Sequence, residues 1–135
     1  MPKITGGCLC GKVRYSADVE PTFVGVCHCR DCQKYGGSAF SIVVAMPTSA
    51  LSVQGALTTF DKPGDTGKMT HRSFCPACGS PISESADVMP DVAMIGAGTL
   101  DDASWVKPAM QIYCASAQPW VALQGDMQRF DKMPG

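Results

Sequence analysis

Short stretches in which apolar and polar residues alternate run along most of the chain, and Gly and Pro separate them. In residues 12–19 every second side chain is apolar, which is typical of a half-buried β-strand. Residues 39–46 are more continuously apolar and lie between a Gly pair and Pro47. The remaining predicted strands lie at residues 57–61, 68–74, 81–85, 92–96, 109–114 and 120–123.

Helical periodicity is brief. Residues 30–35 and 47–51 could each form one helical turn, but apolar residues nowhere keep a 3.6-residue period over twelve positions. We therefore predict a mainly β fold rather than a helix bundle or alternating βαβ layers.

Length and composition indicate one globular domain, residues 1–135. The chain has 135 residues, of which 45% are hydrophobic and 17% are charged. This composition can fill a core and lacks the charge excess of disordered chains. No repeat or linker-like tract divides it.

Charge and hydropathy argue against several partners. The formal net charge of -1 offers no general attraction to nucleic acid or anionic lipid. Residues 42–47 form the longest apolar stretch, which is too short for a membrane span, and the first residues lack the apolar run of a signal peptide. We expect a cytoplasmic protein, whose eight cysteines stay reduced and serve as metal ligands or catalytic groups.

Seven of the eight cysteines form three clusters: Cys8 with Cys10; Cys27, Cys29 and Cys32; and Cys75 with Cys78. Zinc takes four ligands at tetrahedral corners, and a tight turn with two thiolates supplies two of them. The segment FCPACGSPI is similar to a zinc-ribbon turn, which supplies two ligands. The cysteine pair in GGCLCG supplies just the two further ligands that a four-coordinate site needs. We therefore predict a closed four-thiolate structural zinc site.

The third cluster supplies three thiolates within six residues, Cys27, Cys29 and Cys32. A zinc ion held by three thiolates keeps an open position, where it can bind a substrate thiol and lower its pKa. A thiol substrate follows from that arrangement. Two other interpretations stay open: a second structural site completed by His28 or Cys114, and a group of redox thiols without metal.

The segments GGCLCGKVRY, CHCRDCQKYGGSAF, FCPACGSPI and IYCASAQPW occur in this order. Together they resemble the family of glutathione-dependent formaldehyde-activating enzymes, the GFA domain, from about Gly6 to Trp120. The resemblance implies an Mss4-like fold of several small antiparallel sheets around zinc. It also implies structural zinc at Cys8, Cys10, Cys75 and Cys78, and catalytic zinc at Cys27, Cys29 and Cys32, two Zn²⁺ per chain.

The activity that the resemblance implies is carbon–sulfur lyase chemistry on a thiol adduct. The family reaction joins glutathione and formaldehyde into S-(hydroxymethyl)glutathione, and the expected partner is glutathione or a similar small thiol. A noncatalytic zinc-stabilised binding module is the alternative. The sequence leaves the oligomeric state open, a homodimer included.

Other residues carry weaker signals. His28 lies between two predicted ligands, and such a residue often faces away from the metal. His71 is interpreted as a surface or packing residue.

The residues in and just after the segment with three cysteines have two interpretations each. Arg30 and Lys34 could bind a carboxylate of glutathione or could be solvated surface charges. Residues 35–40 could let a ligand approach the backbone or could form an ordinary turn. Cys114 reads as a buried inert thiol, and Trp105 and Trp120 as pocket or core residues.

Overall fold

The chain forms two β-sheets, and a computed structural model describes residues 3–134. The prediction of a mainly β fold with antiparallel sheets is confirmed. The described residues contain one α-helix, α1, at Arg30–Gly36, and short 3₁₀ turns at Thr48–Ala50, Ala97–Thr99 and Cys114–Ser116. The helical turns predicted at residues 30–35 and 47–51 are thus confirmed. The eleven strands of the described part are β1 Ile4–Gly7, β2 Arg14–Ala17, β3 Phe23–Cys27, β4 Ser41–Pro47, β5 Ser52–Gln54, β6 Thr58–Pro63, β7 Met69–Phe74, β8 Pro81–Ala86, β9 Met89–Gly96, β10 Met110–Ile112 and β11 Gln128–Arg129.

The smaller sheet has three antiparallel strands in the order β1-β2-β5. Gly6 of β1 pairs with Tyr15 of β2 and also forms a bridge to Leu100. The Tyr15 hydroxyl lies 2.6 Å from the Thr99 hydroxyl. These contacts attach the smaller sheet to the segment that follows β9.

The larger sheet has eight strands in the order β11-β10-β3-β4-β9-β8-β7-β6. Its neighbours pair antiparallel from β3 to β6, whereas β10 runs parallel to both β3 and β11. Strand β4 lies inside this sheet, and four successive residues from Val43 to Met46 are buried. Burial on both faces of a strand produces the continuous apolar run seen there in the sequence.

The main core lies where β4, β8 and β9 face the smaller sheet. Its members are mostly aliphatic and almost inaccessible to solvent, among them Ile4, Val13, Val44, Met46, Ile82 and Ile95. Alternate residues of β4, Val44 and Met46, belong to this cluster. Among the described residues, no helix has the length and apolarity to cross a membrane.

The strand predicted at residues 120–123 is wrong, because this stretch is a turn followed by irregular chain. Val121 donates its N–H to the carbonyl of Gln118 across that turn. Trp120 is 73% exposed, so it is neither core nor pocket lining. An apolar stretch after a proline does not form a strand when no neighbouring strand pairs with it.

His71 of β7 bridges two carboxylates on the exposed side of the larger sheet. Its Nδ1 lies 2.6 Å from Asp61 Oδ1 and its Nε2 lies 2.8 Å from Asp87 Oδ1. Hydrogen bonds to Asp61 and then to Asp87 raise the pKa of His71 above its ordinary value. The sequence indicated a surface or packing residue, and the side chain is partly exposed.

The stabilisation that His71 provides should therefore be complete below its ordinary pKa of about 6.5 and be lost as pH rises through the higher folded-state value. NMR titration of the imidazole protons should give a pKa above that of a free histidine. Asp61→Asn should lower it. A pKa at or below the free-histidine value in the wild type would contradict this prediction.

Candidate metal centres

The first cysteine pair lies on a tight turn between β1 and β2. The Cys8 N–H donates to the Val13 carbonyl at 3.0 Å, and the Val13 N–H donates to Cys8 Sγ at 3.2 Å. Gly11 closes the turn with φ of +82°, a conformation that glycine adopts without strain. The turn thus directs its backbone amide toward a thiolate.

The second pair lies on an equivalent turn between β7 and β8. The Gly79 N–H donates to the Cys75 carbonyl at 2.8 Å, and Gly79 has φ of +79°. Ser80 Oγ lies 3.2 Å from Cys78 Sγ. Hydrogen bonds from the Ser80 hydroxyl and backbone, and then from the Cys10 backbone, lower the pKa of Cys78 to about 5.

The structure brings these two pairs together. The four sulfur atoms all lie within 4.8 Å of one another, with 3.5 Å between Cys8 and Cys10 and 3.8 Å between Cys10 and Cys75. Tetrahedral zinc with Zn–S bonds of about 2.3 Å separates its sulfurs by about 3.8 Å. The donor set therefore fits zinc. This four-thiol cluster joins the β1–β2 turn of the smaller sheet to the β7–β8 turn of the larger one.

The remaining three cysteines also converge. Cys27 ends β3, Cys29 is the N-cap of α1, and Cys32 lies in the first turn of that helix. The Cys32 N–H donates to Cys29 Sγ at 3.3 Å, and the sulfurs of Cys27 and Cys32 are 3.5 Å apart. All three sulfurs lie within 4.8 Å of one another. This three-thiol cluster thus has the spacing for one metal ion and contributes one ligand fewer than a tetrahedron needs.

Negative charge in the three-thiol cluster concentrates on Cys29. Hydrogen bonds from the Cys27 and Cys32 thiols lower the pKa of Cys29 to about 3, against the opposing effect of burial. The same contacts with Cys29 and Cys32, together with burial, raise the pKa of Cys27. Cys27 and Cys32 are buried, whereas Cys29 is half-buried. The cluster therefore favours a thiolate, the form that binds metal.

His28 points into a different environment from its two cysteine neighbours. It is 1% exposed, and its Nε2 lies 2.8 Å from Gln111 Oε1. Gln33 Nε2 donates to the His28 carbonyl at 2.6 Å. In the described chain, the metal-ligand groups include neither His28 nor Cys114, which donates to the Gln111 carbonyl at 3.5 Å.

A cavity of about 190 Å³ opens beside the three-thiol cluster, and all three cysteines line it. Much of its wall is apolar, with four methionines: Met69, Met89, Met94 and Met133. A second cavity, of about 320 Å³, shares Cys32 and Glu84 with the first and is lined by residues of the 35–40 segment. The three-thiol cluster therefore lies next to space that a small molecule could occupy.

Two charged residues in the cavity wall were not singled out in the sequence. Arg72 of β7 and Glu84 of β8 are register partners, and Arg72 Nε lies 3.4 Å from Glu84 Oε2. Burial raises the pKa of Glu84 to about 7, negative charge near Cys32 adds to this effect, and Arg72 opposes it. Neither residue carries a sequence signal, because the bulge after Ser73 breaks the alternation that would relate Glu84 to the buried Ile82.

The cations proposed from sequence lie elsewhere. Arg30 and Lys34 are exposed, and neither lines the cavity. Arg30 Nη1 instead donates to Gln33 Oε1 at 2.5 Å. In the cavity wall the basic side chains are Lys68 and Arg72.

The fold and the two clusters define a mainly β protein with one four-thiol and one three-thiol group that could hold metal ions. Residues 3–116 match the family model described as glutathione-dependent formaldehyde-activating enzyme, and the chain belongs to that family. Among solved structures, a crystal structure of a Rhodobacter sphaeroides protein is 25% identical, covers 77% of this chain and 91% of its own, and gives a TM-score of 0.59. Comparison with curated proteins gives no match.

Proposed function

We propose that the chain, acting as one domain of residues 1–135, is a zinc-dependent carbon–sulfur lyase-type enzyme. Its substrate would be an adduct of glutathione or a similar thiol, with S-(hydroxymethyl)glutathione from formaldehyde as the reference case. The observation that carries this proposal is the three-thiol cluster in the wall of a cavity. A family described as glutathione-dependent and formaldehyde-activating supports the same chemistry.

The four-thiol cluster and the three-thiol cluster would have different roles. Cys8, Cys10, Cys75 and Cys78 would complete the coordination of a structural zinc ion. Cys27, Cys29 and Cys32 would hold a second zinc ion, which supplies a free position where an added thiol is bound with a lowered pKa. Both duties need reduced thiols, which is consistent with a cytoplasmic location.

The chain's own residues would prepare the cavity for this chemistry. The N-terminal turn of α1 fixes Cys29 through the Cys32 amide, and the end of β3 fixes Cys27. On the side away from the cluster, His28 is hydrogen-bonded to Gln111, and Gln33 donates to the backbone carbonyls of His28 and Ser116. The largely apolar wall would lower the local dielectric constant, which strengthens electrostatic interactions at the reacting atoms.

The test is metal content combined with thiol binding. Wild-type protein should hold two zinc ions per chain, whereas Cys29→Ser should hold one tightly, and the matched control Cys114→Ser should keep two. In cobalt-substituted wild-type protein, added glutathione should increase the thiolate-to-cobalt charge-transfer absorption. The Cys29→Ser variant should lose this response.

Two results would count against the proposal. One is a single metal ion per wild-type chain. The other is a cobalt spectrum that glutathione leaves unchanged, which would favour a noncatalytic binding module.

A further inference from the structure

Arg72 is a buried cation in the wall of the cavity that holds the three-thiol cluster. Its residue exposure is only 6%, and it lines the cavity together with Cys29 and Cys32. Its guanidinium carbon lies 5.7 Å from the centre of the Tyr35 ring. Burial acts to lower the pKa of Arg72, but negative charge on Glu84, Cys32 and Asp31 raises it overall.

The guanidinium is held in place but not saturated with hydrogen bonds. Nη1 donates to Thr70 Oγ1 at 3.1 Å. Nε is buried, and in residues 3–134 it has no hydrogen-bond partner, although Glu84 Oε2 is 3.4 Å away. Arginine carries five N–H donors in a planar fork. Arg72 therefore has donor capacity left over beside the cavity.

Stability alone is a poor explanation for the buried ion pair of Arg72 and Glu84. Burying two charges removes both from water, and well-packed apolar side chains often serve a fold as well or better. The surrounding wall is rich in methionine and aliphatic side chains, where a fixed cation interacts strongly with any negative charge that develops nearby.

We propose that Arg72 binds the carbonyl oxygen of the electrophile and stabilises the alkoxide that forms on it, with Glu84 and Tyr35 as positioning residues. This inference rests on the proposed function. The thiolate sulfur forms a bond to the carbonyl carbon, the C=O π pair moves to oxygen, and water gives that oxygen a proton and leaves as hydroxide. Adduct breakdown is the reverse, in which hydroxide removes the proton and the C–S bond returns its electron pair to sulfur.

The charges of the site explain why this cation is needed. With zinc bound, three thiolates and one Zn²⁺ would carry a net charge of about -1, and a substrate thiolate would make it about -2. A new alkoxide beside that centre would be repelled unless a cation lies within reach. Arg72 is the most deeply buried basic side chain of the cavity wall.

A different duty for Arg72 would be to bind a carboxylate of glutathione. The two duties differ in what they predict. A carboxylate contact exists before reaction and weakens thiol binding when lost, whereas an alkoxide contact exists in the transition state and lowers kcat. A thiol without a carboxylate separates them.

The experiment uses zinc-loaded full-length protein with formaldehyde and either glutathione or 2-mercaptoethanol. NMR exchange measures the rates of adduct formation and breakdown, and cobalt-substituted protein reports thiol affinity. Arg72→Gln leaves Glu84 as a buried unpaired charge, so the main variant is the double substitution Arg72→Gln with Glu84→Gln, whose amides can pair. Glu84→Gln alone keeps the cation, and Arg14→Gln removes an arginine paired with Asp101 in the exposed part of the chain.

We expect the double variant to lose kcat by about 100-fold with both thiols, while thiol affinity stays within about threefold. Glu84→Gln should lose less than about tenfold, and Arg14→Gln should match wild type. Equal kcat in wild type and the double variant would overturn the role of Arg72, as would a loss seen only with glutathione. A wild type that binds thiol but accelerates neither direction would instead overturn the proposed function.

Discussion

Cys75→Ser should remove cooperative folding. Cys75 is 1% exposed and is one of the four thiols that join the two sheets. Structural zinc in small domains contributes on the order of 10 kcal/mol, which is comparable to the whole stability of a typical domain. Loss of one thiolate should therefore leave most molecules unfolded, as measured by circular dichroism and thermal melting.

The matched controls for Cys75→Ser are cysteines outside the four-thiol cluster. Cys114→Ser should melt near the wild-type temperature, and Cys29→Ser should melt cooperatively because its cluster spans only one end of β3 and α1. A chelator should unfold wild-type protein in the same way as Cys75→Ser. A Cys75→Ser variant with a wild-type melting curve would show that the four-thiol cluster does not support the fold.

Gly6→Ala should give the second large loss of stability. A Cβ at Gly6 would overlap the Tyr15 hydroxyl and the Thr99 carbonyl oxygen, so the attachment of β1 to the segment after β9 would have to move. Overpacking of this kind costs about 3 kcal/mol when the obstacle includes backbone. Chemical denaturation should show a lower midpoint of unfolding.

Gly96→Ala is the matched control for Gly6→Ala. A Cβ at Gly96 meets no atom within 4 Å, and its φ of -75° suits any residue. Its stability should stay within about 0.5 kcal/mol of wild type or increase slightly, because alanine restricts the unfolded chain. Similar losses in both variants would argue against the overlap at Gly6.

The cysteine clusters were predictable because ligand spacing is a local property of sequence. Two thiols on one turn indicate a metal site. Because zinc takes four ligands, two such turns are needed to complete it. The structure brings together the same four and the same three thiols. Whether a cluster is catalytic depends on the residues around it, and the spacing of the cysteines does not predict those residues.

Arg72 and Glu84 show why the rest of the site could not be predicted. Their proximity depends on the register between β7 and β8, which shifts at a bulge after Ser73. A shift of one residue moves a side chain to the opposite face. Hydrophobic alternation alone therefore places neither charge in the cavity.

The strands that sequence reasoning missed share a cause. Strands β1 and β3 contain glycine, β5 has only three residues, and β11 has only two. Strand β3 pairs parallel to β10 at a separation of more than eighty residues, and such pairing has no local turn signal. Their conformation is set by distant partners rather than by intrinsic preference.

The two cysteine clusters differ in sequence separation, and this difference gives the order in which metal can be taken up during folding. Cys27 and Cys32 are five residues apart, whereas Cys10 and Cys75 are 65 residues apart. Closing the longer loop costs about 2 kcal/mol more in chain entropy. A newly made chain can therefore capture metal at the three-thiol cluster before its sheets exist, but the four-thiol cluster has to wait for them. When zinc is scarce, we expect chains that have filled the local cluster and remain without the ion that would hold their sheets together.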